Sequence, residues 1–275
     1  MIIKNFFTVD VEDWFQVENL KEVILVDDWE KNKLRVKNST NRILKLLDKT
    51  NTKATFFILG WIAERVPDLV LEIYKRGHEV ASHGYGHQLV YNLSKQEFTN
   101  DLKKSKDILE NIINDRIYGY RAPSFSITEW SLDVLKEEGF LYDSSMFLVS
   151  GHDRYSKLNI NLNGGGAIKE LDNGIKEICI STNSVLGKKL PWGGGGYFRL
   201  IPYGIFKRGF KRSIRQNDGG VFYCHPWEID ADQPTVDNIR PSYRFRHYYG
   251  LEQTEKKLEG LLTDFKFGRI KDHIL

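Results

Sequence analysis

Two hydrophobic rhythms take turns along this chain, and their alternation predicts its architecture. Residues 2–9 carry a nearly unbroken run of β-branched and aromatic side chains (Ile2, Ile3, Phe6, Phe7, Val9), the pattern of a buried strand, which ends in the acidic cluster Asp10-Val11-Glu12-Asp13. From Asn38 to Lys49 the apolar residues Ile43, Leu44, Leu46 and Leu47 recur at helical spacing behind the helix starters Ser39 and Thr40. Ala54–Leu59 reads as a second strand closed by Gly60, and Ile62–Lys75 as a helix restarted at Pro67 and stopped by Gly77. Glu79–Ser82 is a short third strand. Ser94-Lys-Gln-Glu97 is a capping box that opens a helix to about Ile113. A strand over Ile117–Tyr120, a helix from Thr128 to Glu138 and the run Phe140–Tyr142 continue the series.

Strand and helix repeated in this order predict parallel βαβ units, hence an α/β barrel or a doubly wound sheet. After Phe147 the rhythm fails until about residue 200. Glycines 164–166 and 193–196 bracket one β-like run, Ile175–Ser181, so an insertion of loops and short strands over about 147–200 is expected within a single domain spanning 1–275. Neither glycine cluster is a phosphate loop, because no Gly-Lys-Ser/Thr follows. The pattern then resumes with a helix over Tyr203–Arg215, a strand over Gly220–Cys224 that ends at His225-Pro-Trp-Glu228, and an amphipathic helix over Leu251–Phe265.

Composition narrows the classes of function. The 275 residues are 41% hydrophobic and 28% charged, enough for a sizeable core without disulfides. Cys179 and Cys224 are too few for a disulfide framework and too distant in sequence for a Cys-x-x-Cys site, which suits a reducing compartment. The net charge is only +3, and the one compact basic group (Lys207, Arg208, Lys211, Arg212, Arg215) repeats at helical spacing, as on a solvated helix face. No nucleic-acid partner is expected. No stretch reaches the ~18 apolar residues of a membrane span, and the N-terminus lacks a signal-peptide pattern, so a cytoplasmic location is the expectation.

The candidate chemistry sits where the strands end. Asp10, Glu12 and Asp13 follow the first strand, His83 and His87 the third, Arg121 the fourth; Asp143 and His225 follow later ones. Parallel α/β folds build their sites at that edge. Two imidazoles four residues apart plus one carboxylate could hold a divalent ion with open positions. Such an ion lowers the pKa of water and polarises a carbonyl. A second carboxylate could accept the proton, Arg121 could pair with it, and His225 could protonate a leaving amine. That combination describes hydrolysis of an amide or ester. Each residue has a plainer reading as well: helix cap, surface ion pair or buried core histidine.

Thr8-Val-Asp10, His83-x-x-x-His87, Arg121-x-Pro123, Asp143-Ser-Ser and Tyr223-Cys-His225, in this order, resemble the polysaccharide deacetylases of carbohydrate esterase family 4, with their NodB homology domain. Val9-Asp-Val-Glu-Asp-Trp14, Gly196-Tyr-Phe-Arg-Leu200 and Arg244-Phe-Arg-His-Tyr248 are similar to a bacterial subgroup associated with exopolysaccharide gene clusters. The resemblance implies a distorted (β/α) barrel of about seven strands and removal of N-acetyl groups from amino sugars of a glycan. It implies Asp10 as base, Arg121 as the residue orienting it, His225 as general acid, and His83 and His87 as metal ligands. The metal would be Zn²⁺, with Co²⁺, Ni²⁺ or Fe²⁺ also accepted by such a site.

Where such families carry two adjacent aspartates, this chain has Asp-Val-Glu-Asp, so the carboxylate ligand is Glu12 or Asp13; strand alternation favours Glu12. Tyr85, Trp227 and Asp143 are candidate substrate contacts, and at most two of Trp14, Tyr85, Trp192, Tyr197 and Trp227 are expected at the site. His152-Asp-Arg154 and Arg244-Phe-Arg246-His247 could add subsites or be structural ion pairs. A hydrolase of small ureide amides and a non-catalytic glycan-binding relative are the alternative readings. Oligomeric state is open.

Overall fold

β1 (Asn5–Val11) is the strand around which the sheet is assembled, paired in parallel with the last strand on one side and the second on the other. A computed structural model describes residues 4–149, 166–185 and 187–275; His152, Asp153 and Arg154 lie outside the described residues. The remaining strands are β2 (Thr55–Ile58), β3 (Glu79–Ser82), β4 (Gly119–Tyr120), β5 (Tyr142–Asp143), β6 (Ile168–Glu170), β7 (Lys176–Ile178), β8 (Thr182–Val185), β9 (Lys188–Pro191) and β10 (Gly220–Cys224). They are interleaved with helices α1 (Val36–Lys49), α2 (Gly60–Arg65), α3 (Pro67–Lys75), α4 (Lys95–Ile113), α5 (Glu129–Glu137), α6 (Gly195–Leu200), α7 (Tyr203–Gln216), α8 (Pro241–Tyr248) and α9 (Leu251–Asp264).

The main sheet runs β10-β1-β2-β3-β4-β5-β7-β6, with every neighbour parallel except the β6–β7 pair. That is seven parallel strands. The sheet curls until the segment after β7 meets β10, where the Val221 N–H donates to Ser181 Oγ at 2.9 Å. The expected barrel is therefore present, with one correction to the expected insertion. β7 lies within residues 147–200, yet it is a wall of the barrel, leaving β8–β9 as a separate hairpin. The run Ile175–Ser181 shows the strand, but its pairing with β5 is a contact between distant segments that periodicity does not encode.

Alternation along β1 divides the core in two. Phe7, Val9 and Val11 pack outward under the helices with Ile43, Leu44 and Leu47 of α1, while Phe6 faces an inner cluster with Phe57, Ala81, Tyr142, Val221 and Tyr223. Each such apolar side chain contributes roughly 1.5–3 kcal/mol on burial. The inner face also carries Thr8 and Asp10, so one strand supplies both core and chemistry.

The chain end closes the opposite mouth. Ile270 joins the inner cluster, its N–H donates to Thr55 Oγ1 at 2.9 Å, and the Lys271 N–H donates to Glu79 Oε2 at 2.9 Å. The mouth where the parallel strands end stays open.

Two helix starts show what local sequence misses. α4 begins with the expected Ser94–Glu97 capping box. α1 begins at Val36, before the expected Ser39/Thr40 start, and those two side chains are buried instead. Its free N–H groups are satisfied from far away, by Asp13. The basic residues of α7 lie opposite its buried Phe206 and Phe210, as a solvated face does. Cys179 and Cys224 are free thiols, and among the described residues no helix is long and apolar enough to cross a membrane.

Candidate active site

Five side chains meet at the open mouth of the barrel, each delivered by the end of a parallel strand. Asp10 and Glu12 come from β1, His83 and His87 from the loop after β3, and His225 from the end of β10. All but His225 are nearly inaccessible to solvent. They form the floor of a cavity of about 440 Å³, within the range usual for small-ligand sites, and Arg121, after β4, lies buried behind Asp10.

The His83–His87 segment is a compact loop, with Gly84 and His87 both at positive φ. Asp101 on α4 clamps it, accepting the N–H groups of Tyr85 (2.8 Å) and Gly86 (2.9 Å) on its two oxygens. The α2 N-terminus adds Gly60 N–H to Gly84 O at 2.8 Å. His83 Nδ1 lies 2.8 Å from the Arg121 carbonyl, to which it donates, so Nε2 presents its lone pair to the cavity. Burial first of all lowers the His83 pKa, to about 4, which keeps the ring neutral as a metal ligand must be.

One ligand atom each from Glu12, His83 and His87 lies within 4.8 Å of the others. Glu12 Oε2 is 2.6 Å from His87 Nε2, while Oε1 accepts the Trp227 indole N–H at 3.0 Å. Oε2 is buried and receives no properly oriented donor. An orphaned carboxylate oxygen facing two imidazoles is the arrangement a divalent cation completes, so the residues present fit a metal. Burial would raise the Glu12 pKa, but His87 above all, with His225 and His83, holds it well below the usual carboxylate range.

Asp13 is outside this cluster, which removes it from the candidate ligand pair. Its carboxylate accepts three backbone N–H groups: Trp14 at 2.8 Å, and Arg35 (2.7 Å) and Val36 (2.9 Å) at the start of α1. It is a helix cap. Burial pushes its pKa up to about 6 against those three donors.

Arg121 is fully buried and spends its guanidinium on four hydrogen bonds. Nη1 donates to Asp10 Oδ1 (2.6 Å) and Thr8 Oγ1 (2.8 Å), Nε to Ser144 O (2.9 Å), and Nη2 to Ser144 Oγ (2.8 Å). The Phe57 ring stacks 4.1 Å from its carbon. This fixes Asp10 with one oxygen bound and the other toward the cavity. In the following loop Ser124 and Phe125, both lining the cavity, hold left-handed backbone at φ 51° and 58°, a strain that marks a shaped binding wall.

His225 faces this pair from across the floor, its Nε2 3.9 Å from Asp10 Oδ2 and 3.7 Å from Glu12 Oε1. Burial would lower its pKa, but Glu228 first, then Glu12 and Asp10, raise it to about 9. Its ring stacks on Trp227, and Trp227 in turn on His247 at 4.6 Å.

The other candidate contacts divide. Trp227 and Tyr197 line the cavity. Tyr85 does not: its hydroxyl donates to Glu64 at 2.8 Å and Lys104 covers its ring. Trp14 and Trp192 are held in packing, their indoles bonded to the carbonyls of Lys33 and Phe206. Asp143 is buried, accepting from the Ser145 N–H (3.0 Å) and hydroxyl (2.7 Å), and shares its surroundings with Glu177, so it is a structural residue. Arg246 lines the cavity beside Phe245 and Leu200, on helices α8 and α6.

Sequence reasoning missed Asp101, Glu228 and Arg199. Glu228 had a local signal, lying three residues after His225; Arg199 lay in the motif Gly196-Tyr-Phe-Arg-Leu200, which gave it no role. The second glycine cluster is now explained: a Cβ on Gly194, at φ 137°, would lie 1.9 Å from the Tyr223 carbonyl oxygen. These glycines let α6 approach β10 and form the cavity wall.

Residues 21–142 match the family model for polysaccharide deacetylase, and residues 144–275 match one described as a domain of unknown function. The boundary between the two matches cuts through a single sheet, since β1 to β5 and β7 and β10 form one barrel. The chain is 37% identical over 114 residues to a peptidoglycan deacetylase-like protein of Gibberella zeae, covering 41% of this chain and 33% of that one. It is 29% identical over 128 residues to a peptidoglycan-N-acetylglucosamine deacetylase of Bacillus cereus (41% and 46%). With a peptidoglycan deacetylase of Helicobacter pylori the identity is 28% over 142 residues (49% and 48%). The chain thus spans at most about half the length of these relatives.

Among solved structures, a Mycobacterium smegmatis protein described as a polysaccharide deacetylase superposes with a TM-score of 0.59 at 19% identity, over 98% of this chain and 88% of that one. A family pseudoenzyme from Bacillus anthracis superposes at 0.55 and 15% identity (99% and 66%). Identities this low show the shared fold alone.

Proposed function

With residues 21–142 matching the polysaccharide deacetylase family model, we propose that this chain is a metal-dependent hydrolase that removes N-acetyl groups from the amino sugars of a glycan. The observation that carries the reading is the Glu12–His83–His87 cluster flanked by two further groups suited to proton transfer, Asp10 and His225. The fold is shared with a pseudoenzyme, so the fold alone does not carry the reading; the intact set of side chains supports it.

Glu12, His83 and His87 would hold the cation, with Zn²⁺ the first choice for two imidazoles and a carboxylate. When bound it supplies Lewis acidity toward the acetamide carbonyl and lowers the pKa of water. Asp10, held by Arg121 with Oδ2 toward the cavity, takes a proton from the attacking water. His225 gives a proton to the amine nitrogen as the carbon–nitrogen bond breaks, leaving acetate and the free amine. Asp10 Oδ2 and His225 Nε2 stand 3.9 Å apart, both on residues that line the cavity. Trp227 donates to Glu12 and closes one wall, while Tyr197 and Phe245 offer aromatic faces for sugar rings.

The test is acetate release from chitin oligosaccharides and peptidoglycan fragments by zinc-loaded protein, before and after chelation. Activity is expected to vanish with the metal and to be absent in His83→Ala. Full activity after chelation would overturn the reading.

A further inference from the structure

A histidine that must deliver a proton from Nε2 needs its other nitrogen held, or the ring rotates and the tautomer is undefined. The structure provides that hold. Glu228 Oε2 lies 3.1 Å from His225 Nδ1 and also accepts the His225 backbone N–H at 3.0 Å, so ring and backbone are tied to one oxygen. Glu228 Oε1 accepts Arg199 Nε at 2.8 Å. The remaining guanidinium nitrogens of Arg199 donate to the carbonyls of Arg246 (2.7 Å), His247 (2.9 Å) and Tyr249 (2.8 Å). Glu228 and Arg199 are 1% and 3% exposed, so this ion pair is shielded from water and geometrically rigid.

We infer that Glu228, anchored by Arg199, is the positioning residue for the proton donor His225, and that it ties this donor to α6 and α8. The inference rests on the proposed role of His225 as general acid. With Nδ1–H donating to Glu228, Nε2 faces the cavity, and stacking on Trp227 (5.3 Å, 22°) fixes the ring plane. The other buried carboxylate that the sequence motifs offered, Asp143, is engaged with Ser145 and Glu177. Two separate clamps result: Arg121 orients the base and Glu228–Arg199 orients the acid. The second is built from helices beyond residue 144, so the part of the chain matched to a domain of unknown function completes the site.

The experiment compares Glu228→Gln with Asp143→Asn in the full, zinc-loaded chain on two substrates. An N-acetylglucosamine oligomer loses an amine that must be protonated, whereas p-nitrophenyl acetate loses a phenolate that need not be. For Glu228→Gln, kcat on the oligomer is expected to fall about 100-fold, the scale of general acid catalysis, with KM changed by less than about two-fold. On the ester the fall should stay below about three-fold, and Asp143→Asn should keep kcat on both. An equal loss on both substrates would mean a merely structural role and would overturn the inference, as would the split appearing in Asp143→Asn instead. Nitrogen-15 NMR of the His225 ring, recorded at a pH high enough to make the ring neutral, gives a readout independent of turnover: Nδ1–H in the wild type, and a mixed tautomer in Glu228→Ala. An unchanged tautomer in that variant overturns the positioning role. If the wild type releases no acetate, the deacetylase reading fails while the tautomer measurement still decides what Glu228 does.

Discussion

Arg121 offers the most demanding test of how the site is held together. Replacement by Met keeps much of the apolar bulk between Phe57 and Phe125 but deletes the charge. Four hydrogen bonds of 2.6–2.9 Å disappear, and the Asp10 carboxylate, 2% exposed, is left without its cation. Breaking a buried pair on one side costs about 3–5 kcal/mol, because an uncompensated charge stays behind. At about 2–4 °C per kcal/mol for a chain near this size, the melting temperature should fall by roughly 6–20 °C. Urea denaturation of metal-free protein gives the free energy directly. The decisive measurement is the double-mutant cycle with Asp10→Asn, which removes the stranded charge. If the cost is electrostatic, the double variant should be less destabilised than the sum of the singles by about 1–3 kcal/mol. Additivity within about 0.5 kcal/mol would show that Arg121 acts through packing alone and would refute the reasoning.

The ligand assignment predicts opposite phenotypes for neighbouring acids. Glu12→Gln should weaken zinc binding by calorimetry by at least the roughly 10–100-fold that even an outer-shell change costs. Asp13→Asn should leave zinc affinity in place and cost about 1 kcal/mol of stability through the α1 cap. His78 predicts a pH effect: it is buried, its Nδ1 accepts the Ala54 N–H at 3.2 Å, and burial lowers its pKa from 6.5 to about 4. The unfolded chain therefore binds a proton below pH 6.5 that the folded chain refuses until about pH 4, so stability falls as pH drops through that window. The contribution approaches about 3 kcal/mol, and the difference between wild-type and His78→Asn denaturation curves should shrink by that amount from pH 7 to pH 4; parallel curves would contradict it. Gly194→Ala should lose at least about 2 kcal/mol and displace α6, since both the φ of 137° and the approach to Tyr223 exclude a Cβ; a crystal structure or thermal melt of the variant would show it.

Local sequence determined the order of strands and helices, the capping box at Ser94, the restart at Pro67, and the strand ends that carry Asp10, His83, His87, Arg121 and His225. These are legible because periodicity, caps and breakers act over a few residues, and because parallel strands deliver their last residues to a common edge. Partnership between distant segments was decided only in three dimensions. Glu12 and Asp13 are adjacent acids in sequence, yet one turns to the histidines and the other to N–H groups 22 and 23 residues away. Tyr85 sits between the two histidines in sequence but points to Glu64, because Asp101 and the α2 N-terminus set the loop. β7 is legible as a strand in the run Ile175–Ser181, but it owes its place in the sheet to the barrel's closure. Arg199 reaches Glu228 only because glycines 194 and 195 bring α6 against β10. A side chain's partner depends on where the backbone carries it, and no spacing rule along the chain encodes that distance.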